Sequence, residues 1–81
     1  MKDLLAHLDK LHTTELGVLR LQKNLDLDGA DAVSWCKEKI KTADRIIQEG
    51  KNWYVFSGDI IITINVHSNT IITAHKEKRQ L

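Results

Sequence analysis

At Gly50 the spacing of apolar residues along this chain changes period, and that change limits the fold more than any single motif does. Before it, leucine, valine and isoleucine recur every three or four residues, as one face of a helix requires. After it, Ile, Val, Thr and aromatic residues alternate with others at the period of a half-buried strand. Helices followed by strands predict a segregated α+β domain, with the helices on one face of an antiparallel sheet. The chain has 81 residues, enough for one small domain with a thin core. Its 42 % apolar content is ordinary for a globular protein.

Leu4, Leu5, Leu8 and Leu11 predict a first helix over about residues 2–11. His12-Thr13-Thr14-Glu15 then restarts the chain. Either threonine can cap a second helix, with Glu15 in its first turn facing the positive end of the dipole. That helix runs to about Asn24 and turns Leu16, Val18, Leu19, Leu21 and Leu25 toward a core. Gly17 near its start carries a mild helix penalty that close packing would explain. Past the turn Asp26-Leu27-Asp28-Gly29, the positions Val33, Cys36, Ile40, Ala43 and Ile47 form one stripe. The stripe predicts a long helix over about 30–49 that Gly50 stops, with Thr42 as the alternative start of a separate segment. The helical half thus occupies about residues 2–49 and the strand half about 52–76.

Asn52–Ser57, Asp59–His67 and Thr70–Lys76 predict three strands in a meander. Ile60, Ile62, Ile64 and Val66 make one face of the middle strand; Ile61, Thr63, Asn65 and His67 make the other. A two-residue turn at Ser57-Gly58 would pair Val55 with Ile60 and Trp53 with Ile62. The second hairpin has two solutions. A two-residue Ser68-Asn69 turn puts Thr73 and His75 on the face of Ile62 and Ile64. An odd loop or a bulge puts them beside Thr63 and Asn65 and buries Ile72 and Ala74. The expected architecture is two or three N-terminal helices on one face of a C-terminal three-stranded antiparallel meander, with a charged tail at 77–81.

Charge and cysteine count bound the setting. Twelve Lys and Arg against eleven Asp and Glu give +1, split between −2 over residues 1–31 and +3 over residues 32–81. No apolar run approaches a membrane span, and the charged first ten residues do not read as a signal peptide. One cysteine, Cys36, makes no internal disulfide, so a reducing cytoplasm is expected. It lies on the apolar stripe as a small buried hydrophobe. Trp35 lies off that stripe and is expected at a sheet edge or an interface. His7 and His12 are five residues apart, on different helix faces, and no cofactor or metal is expected. No phosphate-binding glycine loop or nucleophile elbow is present.

The strings Leu11-His12-Thr13-Thr14-Glu15-Leu16-Gly17, Gly50-Lys51-Asn52-Trp53-Tyr54-Val55, Thr63-Ile64-Asn65 and Thr70-Ile71-Ile72-Thr73-Ala74-His75-Lys76 carry a resemblance. The chain resembles small bacterial proteins labelled domain of unknown function 3781. The resemblance covers nearly the whole chain and implies a bacterial, cytosolic, stand-alone domain. It brings no activity, cofactor or catalytic residue with it.

Three functional readings follow from the residues. The first is a binding or interaction module that contacts RNA: Tyr54 and Phe56 share one strand face, and Lys51 and Lys76 flank it, as a stacking platform needs. The alternative is that these aromatics, with Trp35, complete a thin core through a homodimer. The second is a metal-independent toxin-type endoribonuclease, with His75 as base or acid, Lys51 or Arg45 holding phosphate, and Thr73 and Asn65 positioning. The third is a helix-turn-helix-like DNA-binding module running from Arg20 through Trp35, which Asp28 and Asp31 at the second helix's start oppose.

Overall fold

A computed structural model describes residues 4–25 and 31–76. The Asp26–Gly29 turn and the 77–81 tail lie outside the described residues. Among the described residues three helices precede four strands: a 3-10 helix at Leu4–Lys10, α1 at Glu15–Leu25, α2 at Ala32–Lys41, then β1 Arg45–Glu49, β2 Asn52–Ser57, β3 Ile60–Asn65 and β4 Ile71–Lys76. The sheet is antiparallel in the order β1-β2-β3-β4.

The first helix is 3-10 rather than α, broken at His7 (φ −119°, ψ 18°). Leu4 and Leu11 are still buried and Leu8 half-buried, while Leu5 is turned out. Of the two threonines, Thr14 caps α1: its Oγ1 accepts from Gly17 N–H at 3.0 Å. Thr13 instead donates to Ile71 O at 2.9 Å and ties the helix start to β4. A Cβ on Gly17 would collide with Thr13 Oγ1, which accounts for a glycine inside the first turn. Helix α1 buries Gly17, Leu21 and Leu25, four residues apart on one side. Leu16 and Leu19 fall on the opposite side and are 66 % and 62 % exposed, so they do not face the core as their spacing suggested.

Asp31 starts α2 by accepting from Val33 N–H and Ser34 N–H at 3.1 and 3.3 Å. The bonds from Ser34 backbone and side chain hold its carboxyl below the ordinary 3.8. The expected long helix ends early. Thr42 closes α2 with its hydroxyl on Glu38 O, and residues 45–49 become a strand. As an edge strand the segment packs Ile46 against the core, pairs with β2 and covers its edge. Asp44 sets the corner, donating its N–H to Phe56 O and accepting Gly58 N–H on Oδ2, both at 2.8 Å. Gly50 therefore stops no helix: with φ +60° it opens the two-residue loop joining β1 to β2.

The β2–β3 loop is Gly58-Asp59, again with glycine first at φ +60°. One residue of shift in the turn moves the register by two, so Val55 faces Ile62 and Trp53 faces Ile64. The inward set is unchanged because the shift is even. Between β3 and β4 a bulge decides the parity: Thr63 faces Thr73 while Ile64 faces Ile71, leaving Ile72 as the extra residue. Ile71 and Ala74 are buried; Ile72, expected inside, is 42 % exposed.

One apolar cluster joins the helices to one sheet face through Leu4, Leu11, Leu21, Leu25, Ala32, Cys36 and Ile40 on the helix side. Trp53, Val55, Ile60, Ile62, Ile64, Val66, Ile71 and Ala74 form the sheet side. Trp35 is half-buried against this cluster, with Lys39 Nζ 5.3 Å from its ring centroid. Burial pushes the Cys36 thiol up to about 12, which makes it a core residue and no nucleophile.

Candidate functional site

Among the described residues no helix packs on the other face of the sheet. Every outward residue of the four strands is half-buried or exposed, and antiparallel pairing aligns them into rows. The first row is Arg45, Phe56, Ile61 and His75; the second is Ile47, Tyr54, Thr63 and Thr73. The third begins with Glu49, Asn52 and Asn65. Asn65 N–H donates to Thr70 O at 2.8 Å, and Thr70 bridges in parallel to His12, so the third row continues through both. Rows are two residues apart, ~7 Å along the strands.

Two stripes run across these rows. Along β1 and β2 lie Ile47, Tyr54 and Phe56, with Arg45 directly beside Phe56. Arg45 makes no ion pair among the described residues. Along β3, β4 and the segment beyond lie Thr63, Thr73, Asn65, Thr70, His12 and His75. The bulge puts the threonines and His75 here: of the two hairpin solutions, the one that groups the polar residues is adopted.

His12 extends the face past the last strand. Its backbone N–H donates to Asn69 O at 3.2 Å and its carbonyl accepts Ile71 N–H at 2.8 Å, as a further strand would. Its ring spans Lys10 O (Nδ1, 3.0 Å) and Thr70 Oγ1 (Nε2, 3.1 Å). Thr70 Oγ1 contacts Ser68 Oγ at 2.8 Å, and Ser68 Oγ lies 3.1 Å from Asn65 Oδ1. Two hydroxyl protons serve three contacts. Asn65 Oδ1 can only accept, so Ser68 donates to it and Thr70 donates to Ser68. Asn65 Oδ1 also accepts the N–H groups of His67 and Ser68, which shapes the β3–β4 loop.

The residues expected to act together are placed as follows. Tyr54 and Phe56 project from an internal strand onto the open face. Thr73 and His75 share that face, two residues apart on β4. Asn65 is held by its loop, ~14 Å of strand length from the row of His75. Lys51 sits in the β1–β2 loop, where its carbonyl accepts Val66 N–H at 2.8 Å. Lys76 is paired with Ile60, on the parity of the buried face, and is exposed at the strand end. His75, Thr73, Asn65 and Lys51 thus spread over one face and its rim without meeting in a cleft. Helix α2, the would-be recognition helix, spends Ala32, Cys36 and Ile40 on the core and starts at the exposed, ionised Asp31.

Arg45, Ile47 and Glu49 enter the face only because β1 is a strand, so a helical reading of that segment hides them. The signal present was Ile46-Ile47 set before a glycine, with a second strand starting two residues after it. His12 and Thr70 join through a bridge between residues far apart in sequence, which no local pattern announces.

The class is therefore a small α+β domain whose four-stranded antiparallel sheet is backed by helices on one side and open on the other. The chain belongs to the family described as protein of unknown function (DUF3781), whose model matches residues 5–75. The matched span takes in every row of the open face. Comparison with curated proteins and with solved structures gives no match. Among the described residues no helix is long and apolar enough to cross a membrane.

Proposed function

We propose that this domain is a binding module that takes single-stranded RNA on the open face of its sheet. The observation that carries the reading is the pair Tyr54 and Phe56, held side by side on an internal strand and turned away from the core face, with Asn52 Nδ2 donating to the Tyr54 hydroxyl at 3.3 Å. Bases stack on such rings regardless of sequence, and Arg45 beside Phe56 offers both charge and a planar group. Polar residues dominate the rest of the face, which suits a sugar-phosphate chain better than a second apolar surface. A homodimer built on the exposed Leu16 and Leu19 of α1 would leave this face free.

The test is fluorescence anisotropy with a short labelled oligouridylate at low salt. Tyr54→Ala and Phe56→Ala are each expected to weaken binding by about ten-fold or more, and binding should fall as salt rises. Unchanged affinity in both variants would sink the reading. Running the same mixtures on a denaturing gel reads whether the oligonucleotide is cleaved, the outcome expected of a ribonuclease.

A further inference from the structure

The chain has six threonines. Four of them have a clear task in the fold: Thr13 bonds Ile71 O, Thr14 caps α1, Thr42 closes α2 and Thr70 meets His12. Thr63 and Thr73 differ. They face each other across β3 and β4 on the open side, half-buried, and among the described residues neither hydroxyl bonds another protein group. Neither is cut off from solvent, since the only buried side-chain polar atom without a partner among the described residues is Asn69 Oδ1. Two hydroxyls thus stand together with their hydrogen-bonding capacity turned outward.

Their position relative to Tyr54 gives that capacity a target. Tyr54, Thr63 and Thr73 are consecutive members of one row, each ~4.8 Å from the next. On the other side of Tyr54 the row holds Ile47, which has nothing to offer a polar group. A base stacked on Tyr54 has its sugar about one strand spacing away, and within this row the side toward β3 and β4 is the one that offers a sugar hydroxyl partners. A ribose 2′-hydroxyl donates one hydrogen bond and accepts another, and a threonine hydroxyl does the same. Two facing threonines can therefore satisfy it from both sides. A deoxyribose would press a C–H against both hydroxyls, leaving them without a partner in a half-buried place.

We infer that the open face selects RNA over DNA by the ribose 2′-hydroxyl, with Thr63 and Thr73 as the residues that determine it. The inference rests on the binding role proposed for the face, and the experiment separates the two. Anisotropy titrations compare oligouridylate with oligodeoxyuridylate of equal length, so that the bases are identical and only the 2′-hydroxyl differs. RNA should bind about ten-fold tighter. The double variant Thr63→Val/Thr73→Val should lose that preference and bind the deoxy strand at least as tightly as the wild type does, since no hydroxyl is then left without a partner, and that retained binding shows that the face is intact. Thr63→Ser/Thr73→Ser keeps both hydroxyls and should keep the preference. Equal binding of the two strands by wild type overturns the selection and leaves the stacking face standing. Binding of neither strand takes down the face itself and the selection with it. A preference that survives in the valine variant overturns the assignment to these two threonines.

Discussion

Trp53 and Val55 point one way from β2 and Tyr54 and Phe56 point the other, so four successive residues serve two different surroundings. The first pair is buried against Cys36, Ile40 and the leucines of the helices. The second pair meets solvent between Arg45 on one side and Thr63 on the other. In a thin core, each inward side chain supplies a large share of stability. The outward rings contribute less to folding than their size suggests, because water still reaches them. A small domain can thus keep its aromatic surface for a ligand only if the opposite face carries the fold alone.

The sharpest way to break this contrast is to truncate neighbours on the same strand. Trp53→Ala should cost ~3–5 kcal/mol, enough to unfold much of so small a domain, whereas Tyr54→Ala should cost ~1 kcal/mol or less. Urea melts of the two variants read the difference. Equal losses would mean that the outer face is a second core. Next in size is Gly17→Ala, where the new Cβ must push Thr13 aside and disturb its bond to Ile71. Overpacking of this kind costs ~1–3 kcal/mol, and a neutral outcome would show that Thr13 is free to move.

Smaller effects test the seam between the N-terminal segment and β4. Thr70→Val removes the hydroxyl that links His12 to Ser68, at a cost of ~1 kcal/mol. Faster hydrogen exchange at the Ile71 amide, which donates to His12 O, is the expected signature. Protection equal to that of wild type would reduce the side-chain chain to decoration on a seam held by backbone alone. The mildest test concerns Cys36. Its thiol is neutral in the fold, while an unfolded chain ionises it near the ordinary 9.0, so the unfolded state holds fewer protons above that pH. Its contribution to stability is complete below 9.0 and declines as pH rises toward about 12. A thiol reagent at neutral pH should accordingly label the chain only after urea unfolds it, and rapid labelling of folded protein would contradict the burial.

The buried face of β2 and β3 was legible from residue alternation because Trp53, Val55, Ile60, Ile62 and Ile64 keep their side under any even shift of register. A threonine cap for α1 and a close approach at Gly17 were legible too, since both depend on neighbours within one helical turn, whereas the choice of Thr14 over Thr13 came with the bond of Thr13 to Ile71 on β4. β1 was not. Ile40, Ala43 and Ile47 keep helical spacing by coincidence, and only hydrogen bonds to β2 decide that residues 45–49 are extended. The open face suffered most from this, because Arg45 and Ile47 arrive with β1. The parity of Thr73 and His75 hung on one bulged residue, Ile72, which the sequence permits without requiring. His12 illustrates the hardest case: its partners Asn69, Thr70 and Ile71 lie nearly sixty residues away, as the His12–Thr70 separation of 58 records.

The claim that one sheet face folds the domain and the other binds RNA is tested most directly by amide shift mapping with an oligouridylate. The expected result is a set of perturbed residues confined to the three outward rows, centred on Tyr54, Phe56 and Thr63 and reaching Arg45 and His12. Perturbations centred on α1 and α2, with β2 and β3 unmoved, would contradict it, as would a spectrum that the oligonucleotide leaves unchanged.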